Sequence, residues 1–446
     1  MSESKTILHK NILWASLILS ITALPFSIKV CHAGMIVLLL GWLMEGNWSV
    51  KFRIIKQSLL LQIIIGLLVL QLIGLLYTDN MNSGLFSVEK KIFFYMIPVA
   101  LATTMVRLTK NEIRIIFIGF FLSCLIGTLL CTVHAWTQAH DYITGITPIN
   151  HYLATSSYSD LHPLDSEKWL IFSYVSLAEG INIHPTYFSF YLSFCVLFLL
   201  HQIGEIKSTL RQAGIWALAS YFIIFIIFLA ARIVILAIGL MLIFLAIRSL
   251  INHQKMIGIA FVIMSIFFSY ILYINPVSRY RSLQEIHLST FNISPGGHYE
   301  TAAQIRASLW WTGFKSIQHS NPFLGVGSGD VEIEMQKTSR QFGITNILGS
   351  FDPHSQYLFT LLGCGIIGLL LLILWFALPA YFSWGEKDPL FIGFILLLSM
   401  ICLTETALES QKGIVFSTLV YAILSFQRHS FQSISISFRP ILRAGN

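Results

Sequence analysis

The stretch 213-AGIWALASYFIIFIIFLAARIVILAIGLMLIFLA-246 runs for 34 residues, with Ser220 and Arg232 as its only clearly polar members. As a single α-helix it would measure roughly 51 Å at about 1.5 Å per residue. The hydrocarbon core of a bilayer is only about 30 Å thick. The spacing therefore predicts two membrane-crossing helices joined by a tight break. Arg232 lies near the middle, in Leu229-Ala230-Ala231-Arg232-Ile233, so the break is expected to put it at the membrane surface or just below. An arginine at that depth costs at least about 2.5–3.5 kcal/mol unless it is paired, so a partner is expected. A turn residue that snorkels to water is the plainer alternative.

The rest of the chain has the same character. It is 446 residues long, 55% hydrophobic and 11% charged, with a mean hydropathy of +0.74. A soluble domain carries about 25% charge. So much apolar surface suits a chain whose solvent is itself apolar. Ile12–Leu24 is read as a first transmembrane helix and not as a cleavable signal, because further apolar spans follow it. The six cysteines lie in or beside apolar spans, without CxxC spacing, and suggest neither a metal site nor a disulfide framework. The net charge of +7 carries no basic-aromatic signature of nucleic-acid binding.

The expected fold is an all-α integral membrane protein of about 12 transmembrane helices. Spans are placed near 8–25, 30–46, 57–77, 91–106, 113–136, 184–202, 212–230, 232–248, 256–274, 355–382, 389–404 and 411–427, the fourth and eleventh being the weakest. With the N-terminus inside, more than half of the 28 Lys and Arg residues fall in short inside segments. They include Lys5 and Lys10; Lys51, Arg53 and Lys56; Arg107, Lys110 and Arg114; Lys207 and Arg211; Arg248 and Lys255; Lys387; and Arg428, Arg439 and Arg443. That is the positive-inside pattern, with both termini inside. The chain divides into 1–183, N-terminal helices with an outer loop at 137–183; 184–427, a membrane domain with a large outer loop at 275–353; and a basic inner tail at 428–446. The larger loop is too long for a connector. Its residues Ile305, Leu309, Trp310, Phe314 and Ile317 recur at helical spacing, so one or two helices are expected to lie on the bundle.

Candidate chemistry gathers in and after that loop. Asp352-Pro353-His354 precedes the tenth span; Asp352 is expected to cap it, Pro353 to take the first helical position, and His354 to lie in the first turn. A neutral histidine there can serve as a general base. A merely polar interfacial histidine is the plainer reading. The run Gly325-Val326-Gly327-Ser328-Gly329 follows no strand and lacks the Lys-Ser/Thr of a nucleotide loop, so it is read as a tight turn.

Several pieces occur in a telling order. They are His184-Pro185-Thr186-Tyr187; Ala231-Arg232 opening a span; Arg306 with Trp310; Asn321-Pro322 with Gly325-Val326-Gly327; His354-Ser355-Gln356-Tyr357-Leu358; Gly365-Ile366-Ile367-Gly368; and Glu405…Glu409-Ser410-Gln411. In this the chain resembles the O-antigen ligase and O-antigen polymerase superfamily, most strongly over about 184–425. One departure is Ser355, where the family often has Asn. The region 1–150 matches only in hydropathy and around Tyr77 and Glu89-Lys90-Lys91.

The resemblance implies a C-type glycosyltransferase-like bundle in the bacterial inner membrane, acting on the periplasmic face. It implies a donor glycan on undecaprenyl pyrophosphate and an acceptor such as lipid A-core, with membrane lipids around it. The implied catalytic residues are His354, Arg232 and Arg306. Lys90, Lys91, His184 and Tyr187 are secondary candidates for phosphate or sugar contact, with interfacial anchoring as their plainer role. No cofactor or metal is implied, and the outer loops carry no Asp-x-Asp pair for Mg²⁺. Permanently charged arginine forks can stabilise the pyrophosphate as it leaves. A polymerase and a protein O-oligosaccharyltransferase share these motifs. A transporter or flippase is the rival of another class, but it should show inverted repeats around a midplane site.

Overall fold

The computed structural model describes residues 3–143, 169–203, 206, 208–251, 253–284, 293, 296–297, 302–344, 351–385 and 388–428. The middle of the first outer loop, parts of the second, Lys207, Lys387 and the tail beyond Arg428 lie outside the described residues. The described residues are helical and contain no strand, apart from an isolated bridge between Asn321 and Gly325.

In chain order the helices are α1 Glu3–Ala23, α2 Ile28–Met44, α3 Trp48–Gln57, α4 Leu59–Leu75, α5 Met81–Lys90, α6 Ile92–Thr103, α7 Lys110–Ile143, α8 Tyr174–Ala178 and α9 Pro185–Gln202. Then follow α10 Thr209–Phe228, α11 Arg232–Ile251, α12 Lys255–Ile274, α13 Pro276–Arg279, α14 Ala302–Ile317, α15 Val331–Gln341, α16 Gln356–Gly385, α17 Pro389–Thr404 and α18 Gln411–Ala422. Each of the stretches expected to cross the membrane holds a helix. Among the described residues six helices are long and apolar enough to cross, or up to 8 if each bent pair is one span. Helix α6 has only 12 residues and an internal Pro98.

The bundle is organised around α9. Its sequence PTYFSFYLSFCVLFLLHQ is apolar on every side, which marks an interior helix, and nearly all of it is buried. Phe190 and Phe194 pack edge-on to Phe416 of α18, at centroid distances of 4.7 and 5.9 Å. Helices α17 and α18 are likewise mostly buried. Outer helices such as α12 expose Ile259, Ile263, Ile266 and Tyr270, as expected where the surroundings are lipid tails.

The break between α10 and α11 falls at Leu229–Ala231, with Ala230 in the left-handed region at φ 48°. Helix α16 is broken too. Gly365, at φ 63° and ψ −167°, interrupts it, and the turn 322–327 fills the gap. The N–H groups of Val326 and Ile366 donate to the carbonyls of Leu362 and Pro322 at 2.8 and 2.9 Å. A Cβ on Gly365 would sit 2.2 Å from the Phe323 backbone, and one on Gly325 2.2 Å from the Leu362 carbonyl. The GxGxG run is therefore a tight turn that also supplies hydrogen bonds the broken helix lacks.

Two local expectations need correction. Lys51 is 1% exposed and not a solvated inside charge. It pairs with Glu45 at 3.1 Å and lies 4.5 Å from the Trp42 ring centroid. A buried ammonium needs such partners, and Glu45 also accepts from Thr104 and Met105. Asp352 does not cap α16 either. Its oxygens accept the His354 N–H at 2.8 Å and the Thr406 hydroxyl at 2.6 Å. Ser355 caps instead, its carbonyl accepting from Phe359 N–H at 2.8 Å. His354 therefore precedes the helix, at φ 45°, and is not in its first turn.

Candidate active site

Two clefts open side by side at the end of the bundle that carries the long loops. The first, about 470 Å³, is mostly apolar, lined by Ile235, Leu236, Leu240, Phe268 and Leu272, with Arg232, Arg306 and Trp310 also on its wall. The second, about 560 Å³, is polar and includes Lys90, His184, Tyr187, Glu332, His354 and Glu405. Thr404 lines the first and Glu405 the second. The wall between them is thus the C-terminal end of α17.

Glu405 joins the residues singled out in the sequence. Arg306, on α14, donates through Nη2 to Glu405 Oε1 at 2.6 Å. His354 Nδ1 faces Glu405 Oε2 at 3.7 Å, too long for a direct hydrogen bond. Burial pushes the Glu405 carboxyl up; the adjoining His354, Arg306 and His184 outweigh it, and the net direction is down. Glu405 is therefore held as an anion between a guanidinium and an imidazole.

His184 caps α9, its Nδ1 accepting the Thr186 N–H at 3.3 Å. Its ring opens onto the cleft. The lone pair used for capping requires Nδ1 to be unprotonated. Tyr187, one turn on, shares the polar cleft with it.

The two lysines separate. Lys90 faces the polar cleft and pairs with Glu409 at 3.2 Å. Lys91 turns into a small internal cavity behind it, where it pairs with the other oxygen of Glu409. Of the predicted residues, Arg306 and His354 meet at Glu405, Arg232 and Arg306 share the apolar cleft, and His184, Tyr187 and Lys90 line the polar one. Lys91 stands behind. Among the described residues no His, Cys, Asp and Glu side chains gather in a group of three that could hold a metal ion.

A family model described as O-antigen ligase matches residues 217–373. That stretch is similar to the O-antigen ligase family and supports the O-antigen ligase and polymerase superfamily. Comparison with curated proteins gives no match. The O-antigen ligase match takes in Arg232, Arg306 and His354 and stops short of Glu405. Members of this superfamily are glycosyltransferase-like ligases and polymerases that join lipid-linked glycans to acceptors. Sequence reasoning gave Glu405 and Glu409 no chemical role. The signal that could have found them is two carboxylates in a short connection between two apolar spans, where each needs a cation.

Proposed function

We propose that the protein is an inner-membrane glycosyltransferase that moves a glycan from undecaprenyl pyrophosphate to an acceptor hydroxyl at the periplasmic face, the acceptor being lipid A-core. The observation that carries this is the Arg306–Glu405–His354 chain on the wall between an apolar cleft and a polar one. An apolar groove headed by Arg232 and Arg306 suits a polyprenyl tail with its pyrophosphate at the arginines. A polar cleft with His354 suits a sugar.

In this reading the acceptor oxygen attacks C1 of the donor glycan from the face opposite the pyrophosphate. The C1–O bond breaks, its electron pair leaves on the pyrophosphate, and the anomeric centre inverts. Arg232 and Arg306 stabilise the anion that leaves. The attacking hydroxyl gives its proton to Nε2 of His354. Glu405, facing Nδ1, orients the ring and favours the tautomer with Nε2 free, the logic of a base held by a carboxylate. His184, Tyr187 and Lys90 contact sugar in the polar cleft, and Lys91 holds Glu409 in place. Twelve crossings with both termini cytoplasmic put these groups on the periplasmic side.

The test is purified protein in vesicles with undecaprenyl-pyrophosphate glycan, offered lipid A-core, a second lipid-linked repeat or an acceptor protein. Product on lipid A-core identifies a ligase; product on either of the others identifies a polymerase or a protein O-oligosaccharyltransferase. His354→Ala is expected to lower transfer about 10²–10⁴-fold, the usual contribution of a general base. Undiminished transfer by that variant would remove the base assignment.

A further inference from the structure

Arg281 plays no part in the reaction described above, yet it is 8% exposed and lies beside the break that presents Arg232. It belongs to the π-helical turn Tyr280–Gln284 after α13. Its Nε donates to the carbonyl of Ala230 at 3.2 Å. Its guanidinium carbon stands 3.6 Å from the centroid of the Tyr174 ring. Three residues earlier, the Ser278 hydroxyl donates to the carbonyl of Ile227. Asn275 caps α13 by accepting the Ser278 N–H at 2.9 Å.

These contacts address a specific difficulty. Helix α10 ends at Phe228, where the Ile227 carbonyl accepts the Ala230 N–H at 3.0 Å and takes the Ser278 hydroxyl as a further donor. Ala230 then takes a left-handed conformation that an alanine avoids when free. Such a backbone persists only where its surroundings hold it. Here segments from both long loops do so. Leu170 and Val277 are buried against Ala230, with Trp169 and Tyr174 packed around them. Arg281 both bonds the Ala230 carbonyl and stacks on Tyr174, tying the break to the first long loop. Arg232 begins α11 two residues after Ala230.

We infer that Arg281 is a positioning residue, which fixes the Leu229–Ala231 break and thereby aims Arg232 into the apolar cleft. The inference rests on the proposed glycan transfer, but its physical content is independent of it. A lysine keeps the charge and loses the planar fork that donates and stacks at once. A methionine keeps the stem and loses the donor.

The experiment uses full-length protein in vesicles. Arg281→Met and Arg281→Lys are expected to lower transfer about tenfold each, mainly through the KM for lipid-linked donor, with the KM for acceptor unchanged. Full activity in Arg281→Lys would mean that charge alone matters and would overturn the positioning role. In an Arg232→Ala background, Arg281→Met should cost nothing further; an additional tenfold loss would show that Arg281 acts independently of Arg232. Should Arg281→Met fail to fold, Ser278→Ala carries the same test through the neighbouring carbonyl. Hydrogen exchange of the 229–233 amides should rise in the variants, whatever the substrate proves to be. If wild-type protein transfers nothing, the functional reading fails while this measurement still decides the latch. Unchanged exchange would sink it.

Discussion

Two stretches of this protein have the same length and opposite fates. Helix α7 runs unbroken for 34 residues, from Lys110 to Ile143. Residues 213–246 also number 34, and they split at Ala230 into α10 and α11. Length alone therefore does not break a helix in this fold. The difference lies in where the polar residues stand. Helix α7 carries Lys110, Glu112 and Arg114 at one end and Thr137, Gln138 and His140 near the other. Its apolar middle crosses, and its ends reach beyond the hydrocarbon. The 213–246 stretch is apolar at both ends and has its one charge in the middle, so each half must cross and the charge must sit at the turn. Charge placement marks where the break falls, contacts from the long loops hold it, and the site is built on it.

Removing the charge at the turn should have the largest effect. Arg232→Ala is expected to reduce glycan transfer about 10²–10³-fold, the scale for losing one group that stabilises a developing anion. The break itself should survive, because the Ile227 and Ala230 carbonyls keep their partners. Transfer assays together with hydrogen exchange at 229–233 check both halves. A variant that transfers normally would return Arg232 to the plainer role of a snorkelling turn residue.

A charge placed in the middle of the unbroken stretch should be costly. Ile126 of α7 is 51% exposed on the lipid-facing surface. Ile126→Arg is expected to cost about 2.5–3.5 kcal/mol of insertion energy, seen as lost yield of folded protein, while Ile126→Leu should be nearly silent. If the arginine variant accumulates and melts like wild type, charge placement does not govern which stretch stays whole.

Much of the fold could be read this way, because lipid imposes a simple rule on each residue. The break at Ala230, the helices of the second long loop and the turn at Gly325–Gly329 all follow from local composition. What stayed hidden depends on distant pairings. Asp352 looks like a cap for α16, yet Thr406 takes one of its oxygens, and nothing near Asp352 announces Thr406. Lys51 reads as an inside surface charge until Glu45 and Trp42 enclose it. Arg306 and His354 were legible as candidates, but the carboxylate that joins them follows a later span. Its meaning appears only when α14, α16 and α17 come together. Lys90 and Lys91 are neighbours in sequence and part at the α5–α6 junction, which turns one toward the cleft and the other behind it.

The smallest effect is expected at the far end of α7, and it bears on whether that overhang belongs to the site. Gln138 there donates to Glu179 at 3.2 Å, in the short turn Glu179–Ile181 ahead of α9. His184, which caps α9 and lines the polar cleft, is only a few residues further on. The overhang therefore leans on the element that presents His184, through an exposed hydrogen bond. Exposed contacts of this kind usually contribute no more than about 0.5 kcal/mol, so Gln138→Ala should leave thermal stability nearly unchanged. Transfer should also hold, because His184 is fixed by its own bond to the Thr186 N–H and by Pro185, independently of α7. A rise in acceptor KM in Gln138→Ala at constant stability would contradict this division. It would mean that the unbroken stretch also shapes the acceptor cleft, as the broken one shapes the donor cleft.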